Sequence, residues 1–472
     1  MALAIAAVRN LMRTAHLSNR RLTPGENELD MDVDALVREA VSAIWSLGTL
    51  PGGGLWKAPE FIQLKKACGE RYEHGKDTFG LTFALDHALK SLGLPCLAKK
   101  GTHTGALDSA QAYTQLHAAF TRKTTRRRYI CPLDLAEIIP TLEFGDAKVG
   151  HFTAAQLDEL FDKPRLARYY PNLSLDSKRF SQFHWLIVEQ DEAVADSTGG
   201  RSMPSFSMMM TRDLGEIDPH ESRYPRAVEH ALFFLLLAPW EEWSTMTEVD
   251  WRGFRVPWIY QLDDDLFVAP SEPRSPDSLS WEPKFFQDDL GQVEEVEGPV
   301  ELRLADEASQ LLLGRNQEHW SEFQAALNTS LFDTPVIHFL VRAFLANGID
   351  EFMAHLTVVE AALGLKSDYR RKERLNHAGK GPTERVALRL SAALNDPGAA
   401  KIYEHLFDLR SAFIHGRGRL EKISTVQRVQ ARRVAAKAAW ALVELGRESG
   451  KSRDELLADL LDRGVQLAAD QQ

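Results

Sequence analysis

The segment YEHLFDLRSAFIHG, residues 403–416, sets an arginine and a histidine five positions apart, Arg410 and His415, at the end of a helical pattern closed by Gly416. An imidazole titrating near neutrality can take a proton from a ribose 2′-hydroxyl. A guanidinium can hold a phosphate through parallel hydrogen bonds and stabilise the charge of a phosphorane. Together they can cut RNA without a metal, the 2′-oxygen of the RNA serving as nucleophile. Spacing alone is a weak signal, because it recurs by chance in a chain this long. Arg179 and His184 repeat it, in surroundings that read as the start of a strand. The competing reading of the pair is structural, with Arg410 held by Asp408 or Glu404 and His415 capping carbonyls at the helix end.

The elements that must position the pair form a run of helices. Leu406, Leu409, Phe413 and Ile414 supply the expected buried side of the Arg410 helix, which covers Ala399 to about Ala412. Before it the pattern predicts helices over Glu318–Leu327, from Thr334-Pro335 to Ala346, over Asp350–Leu363 and over Thr383–Leu394. Thr334-Pro335 reads as an N-cap followed by proline at the first helical position. Two more follow, Ser424–Arg447 and Ser452–Leu467, which makes a compact bundle with short connections. A basic polar loop, SDYRRKERLNHAGKG, interrupts it and reads as a solvated surface.

Three motifs in this order resemble the Apea-like HEPN family, a branch of the HEPN ribonucleases. They are HLTVVEAALGL with Glu360, TERVALRLSAAL with Arg385, and YEHLFDLRSAFIHG with Tyr403, Arg410, Ser411 and His415. The resemblance covers roughly the last third of the chain. It implies an all-helical HEPN-type domain in which Arg410 and His415 are the catalytic pair and Glu360 orients one of them. Ser411, Arg385 and Tyr403 are then candidate substrate contacts, as are Arg417 and Arg419, which read equally well as plain solvated charges. Many HEPN nucleases carry Asn, Asp or His where this chain has Ser411. The family also implies a homodimer, or a higher homo-oligomer, in which two Arg/His pairs face one composite site. It further implies RNA as substrate, tRNA among the candidates, and a part in anti-phage defence answering a phage-derived trigger. No metal or cofactor is expected. The alternative is a non-catalytic dimerisation or nucleotide-binding scaffold, or an antitoxin-like partner.

A chain of 472 residues is too long for one ordinary core, so two or three domains are expected. The expected class is α+β: a mixed front followed by the all-α bundle. The divisions are a mainly helical region 1–125, a tryptophan-rich α+β region 126–304 and the bundle 305–472. The net charge of −11 is uneven: residues 334–472 carry 22 Lys and Arg against 17 Asp and Glu, so the excess of acid lies in front. Contact with a polyanion therefore belongs at the back.

In the front, helices are expected over Asp30–Leu47, ended by Pro51-Gly52-Gly53-Gly54, and over Glu60–Glu70, Phe79–Leu92, Ser109–Phe120 and Arg226–Leu237. Strands are expected at His184–Glu189, Ser205–Thr211 and Phe254–Leu262, with Asp263–Asp265 as a solvated hairpin tip leading into Leu266–Val268. The basic run Thr121–Arg128 reads as an exposed hinge, and Pro270–Pro299 as a linker with an acidic segment, QDDLGQVEEVEGP. Trp240, Trp243, Trp251, Trp258 and Trp281 crowd one stretch, as core or as a contact face. Together with the acidic segment, the front is expected to sense a trigger and restrain the nuclease. Cys68, Cys96 and Cys131 are too few and too scattered for a disulfide framework, which suits a reducing cytoplasm. No apolar run is long enough to span a bilayer.

Overall fold

The computed structural model describes residues 24–72, 78–97, 107–195, 197–203, 224–245, 252–287, 292–369, 376–377, 379–415, 422–448 and 450–470. The class is α+β, with many helices around a small antiparallel sheet. The expected helices of the front are present as α1 (Pro24–Trp45), α2 (Pro59–Arg71), α3 (Thr78–Leu92) and α4 (Ser109–Thr121). Val37, Val41, Phe61, Leu64, Leu85, Leu89 and Leu116 recur at helical spacing and close a core of their own. Asp108 and Gln111 form a reciprocal cap that starts α4.

The sheet holds β1 (Thr124–Leu133), β2 (Leu142–Phe144), β3 (Ala147–His151), β4 (His184–Ala193) and β5 (Tyr260–Asp263), in the order β2-β3-β4-β1-β5. Side chains alternate across it. Tyr129, Cys131, Leu186 and Val188 face one core, while Ile130, Trp185 and Ile187 face another with Phe161, Phe180 and Trp258. That second face is covered by α5 (Ala154–Leu160), α6 (Lys163–Tyr169) and α7 (Ser177–Phe180).

The basic run is not a hinge. It enters β1, a central strand between β4 and β5, and its arginines are neutralised by neighbouring acids. Arg126 pairs with Asp191, Arg128 with Glu189, and Arg127 with both Glu192 and Asp263. Nor is Asp263–Asp265 a solvated tip. Asp263 and Asp265 are buried, Arg122 holds Asp264 through two hydrogen bonds of 2.7 and 3.3 Å, and Arg201 lies 3.1 Å from Asp265. Leu266–Val268 turns away instead of forming a strand, and only the last part of the expected Phe254–Leu262 strand, in β5, joins the sheet. His184 begins a strand, as expected, and is buried there. The expected strand at Ser205–Thr211 and Trp251 lie outside the described residues.

After β4 come α8 (Thr198–Ser202), α9 (Arg226–Leu236) and α10 (Trp240–Trp243). Trp240, Trp243 and Trp258 are buried, so these three serve the core and cannot be a contact face. The stretch read as a linker contains a two-stranded ribbon, β6 (Trp281–Gln287) with β7 (Val293–Pro299). Then follow α11 (Ala308–Leu312), α12 (Gln317–Leu327), α13 (Val336–Leu345), α14 (Gly348–Leu363), α15 (Pro382–Leu394), α16 (Pro397–His415), α17 (Thr425–Glu448) and α18 (Arg453–Ala469). Thr334 does not cap α13; its hydroxyl donates to the Ala361 carbonyl at 2.8 Å. One continuous core joins the sheet to these helices, through rings such as Phe144, Phe234, Trp320 and Phe323. Position 304/305 therefore marks a change of secondary structure within a shared core. Among the described residues no helix is long and apolar enough to cross a membrane.

Candidate active site

The site is assembled where the end of α14 meets the last turns of α16. Glu360 occupies the final turn of α14, whose end is fixed by Gly364: its N–H donates to the Glu360 carbonyl at 2.8 Å. A Cβ on residue 364 would stand 2.6 Å from that carbonyl oxygen, so glycine is required there. On α16, Tyr403, Phe407 and Arg410 recur at intervals of four and three and share one face. Tyr403 is wholly buried, Phe407 packs against the main core, and Arg410 reaches Glu360. An Arg410 Nη1 lies 3.1 and 3.3 Å from the two Glu360 carboxylate oxygens. The guanidinium also lies over the Phe407 ring, 5.3 Å from its centre.

Burial pushes the Glu360 carboxyl above the usual carboxylate range, against the pull of Arg410. The Tyr403 phenol is raised by burial and by the Glu360 charge. Its hydroxyl and the Nε of Arg410 are both buried without a hydrogen-bond partner among the described residues. Tyr369, in the turn after α14, is raised by burial first and then by Glu360, which places it beside the pair.

A buried ionic frame holds this end of α14. Asp368 accepts two hydrogen bonds from Arg389, at 2.5 and 2.9 Å, and receives the Leu365 N–H. The remaining donors of Arg389 meet the carbonyls of Leu363 and Leu457 at 3.0 Å. Arg453 binds the carbonyls of Ala361, Ala362 and Gly364, the groups that a helix end leaves unpaired.

The structure therefore brings together Glu360, Arg410 and Tyr403, with Ser411 half-buried next to Arg410 in the chain. His415 is exposed at the end of the same helix. Residues five apart on an α-helix differ by about 140° in direction and roughly 7.5 Å along the axis. One copy thus presents Arg410 and His415 on different sides of α16. Arg410 does not take Asp408 or Glu404 as its partner; the acid 50 positions earlier wins because the α14–α16 packing carries it there.

Three expectations need correction. Arg385 is buried and donates to the carbonyls of Asn376, His377 and Lys380, so it builds the turn before α15 and cannot contact a substrate. Tyr403 is equally inaccessible and acts, if at all, through its neighbours. Phe413 and Ile414 are about half exposed, because the core ends at Leu409 and α16 runs on past it. Arg417, Arg419 and the loop 370–374 lie outside the described residues. Tyr369 and Phe407 were missed in the sequence. Phe407, three positions before Arg410, could have been found from helical spacing, whereas nothing local marked Tyr369.

Among the described residues no group of three His, Cys, Asp or Glu side chains is gathered as a metal site. No protein-family model matches the chain, and no curated protein or solved structure is detectably similar to it.

Proposed function

We propose that the chain is a metal-independent endoribonuclease of HEPN type. In this reading Arg410 clamps the scissile phosphate and His415 takes the 2′-hydroxyl proton as the 2′-oxygen attacks phosphorus. The bond to the 5′-oxygen breaks, that oxygen takes a proton from water and leaves as a hydroxyl, and a 2′,3′-cyclic phosphate remains. The observation that carries it is the Glu360–Arg410 pair at 3.1 Å. The two residues that the sequence resemblance assigned to one site, from motifs 50 positions apart, meet at the open end of the helix that bears His415. The raised proton affinity of Glu360 adds a second group able to carry a proton beside the arginine. The different directions of Arg410 and His415 on α16 favour a composite site in which a second copy supplies the other group. Half-exposed Phe413 and Ile414 beside His415 suit that contact. The biological reading is an anti-phage effector acting on RNA, tRNA among the candidates, and restrained until a trigger acts on the front of the chain.

A second reading has its own support: Arg410 is tied to Glu360, and no partner orients His415 among the described residues. That arrangement also suits a non-catalytic dimerisation module. The experiment that separates the two is RNA cleavage in EDTA by the full chain and by His415→Ala and Arg410→Ala. Cuts with cyclic phosphate ends, lost in both variants, establish the nuclease. Silence of the wild type, with and without infected-cell extract, establishes the scaffold.

A further inference from the structure

Two exposed apolar features of opposite charge stand at different places on the molecule. The first is a groove of about 440 Å³ between α2 and α3, lined by Trp56, Phe61, Ile62 and Leu81, a size at which clefts take ligands. Ile62, Lys65, Lys66 and Gly69 of α2 recur at helical spacing along it. Ile62 is 56% exposed and the nearby Phe79 60% exposed, unusual for such side chains in a finished surface. Phe79, Phe83 and Trp56 form a chain of edge-to-face rings at 5.0 and 4.9 Å beside it. Lys65 has no ion-pair partner among the described residues, and Lys66 reaches Glu70 only at 4.0 Å.

The second is the β6–β7 ribbon. Its register pairs Phe285 with Glu295 and Gln287 with Val293, which puts Phe285, Val293 and Glu295 on one face. Phe285 is 66% and Val293 65% exposed. Glu295 is exposed on that face and has no ion-pair partner among the described residues. An apolar ribbon edged with acid thus matches an apolar groove edged with lysine.

We propose that the ribbon of one copy docks in the α2–α3 groove of a second copy, with Phe285 and Val293 against Trp56 and Ile62 and with Glu295 against Lys65 and Lys66. The contact is head-to-tail, so it leaves a free groove and a free ribbon at the ends of each pair and extends to rings or filaments. It is independent of the nuclease reading and of any pairing through α16.

The test is sedimentation velocity of the full chain over a concentration series. The wild type is expected to form species larger than a dimer as concentration rises. Lys65→Glu with Lys66→Glu, or Glu295→Lys, is expected to weaken that growth more than about tenfold, since like charges then face each other. All three substitutions in one chain restore it. Mixing the two variants also restores growth, as alternating copies, because each variant's ribbon then meets an oppositely charged groove on the other. All three positions of charge change are exposed or half-buried, and thermal melts confirm that the variants fold. A wild type that never exceeds a dimer, or growth untouched by either charge reversal, overturns the proposal. So does growth that is abolished by deleting residues 1–23 while both charge sets are silent, which puts that segment in the groove instead.

Discussion

Glu360→Gln separates a site residue from a structural one. The Glu360–Arg410 pair is about one-fifth exposed on each side, partly buried but still in touch with water. Such pairs contribute at most about 1 kcal/mol. Against this stands the cost of desolvating the carboxylate, which is the largest influence on Glu360 and raises its proton affinity. The sign follows from linkage. Above its ordinary titration range the unfolded chain has lost the Glu360 proton, while the folded chain pays to lose it, so the folded state is penalised as pH rises through that window. Glutamine carries no such penalty. At pH 8 the variant should unfold within about 1 kcal/mol of the wild type, on the stable side if at all, and the difference should vanish near pH 4, where the carboxyl is protonated in both states. Under the proposed nuclease reading, activity should respond oppositely. A guanidinium released from its second anchor loses its aim, and a misplacement of that kind costs about 100-fold in turnover. The assay is urea unfolding at pH 8 and pH 4 beside single-turnover RNA cleavage. Loss of several kcal/mol at pH 8, or full cleavage by a stable variant, refutes the reasoning.

Asp368→Ala should cost about 3–5 kcal/mol, because it strands the Arg389 charge in the core, and Arg389→Met in the same chain should recover part of that loss; urea midpoints measure both. Gly464→Ala would set a Cβ 2.1 Å from the Leu388 carbonyl oxygen, so α15 and α18 must part, at about 2 kcal/mol or more in the same measurement. Burial pushes His184, His230 and His355 down to about 4. Between about 6.5 and 4 the unfolded chain therefore binds protons that the folded chain refuses, and stability should fall as pH falls through that window. Glu241, pushed up to about 7 by burial, opposes this, as do Glu360, Glu404 and Asp265, whose carboxyls burial also raises, while His87, lowered by burial, adds to it. His355→Gln should flatten the slope of urea midpoint against pH; an unchanged slope would place the linkage elsewhere.

Helix positions were legible in the sequence because each is a local fact. The spacing of Val37, Val41 and Ile44, or of Leu456, Leu457, Leu460 and Leu461, states which side of a helix is apolar without reference to any partner. The Gly364 stop and the strand start at His184 were local in the same sense, and so was the spacing of Arg410 and His415. Charges were different, since a charge's environment is chosen by residues far away in sequence. The arginines of β1 look like a solvated run until antiparallel pairing lines Arg126 against Asp191 and Arg128 against Glu189. Arg385 looks like a substrate contact until the turn before α15 wraps its guanidinium in carbonyls. By itself the sequence determined the helical pattern of the last third and the residues able to do chemistry at its end. Tertiary packing alone decided that Arg410 answers to Glu360, that Tyr403 is sealed beneath them, and that Phe413 and Ile414 are left uncovered, because only the crossing of α14 and α16 fixes which side chains meet and which stay in water.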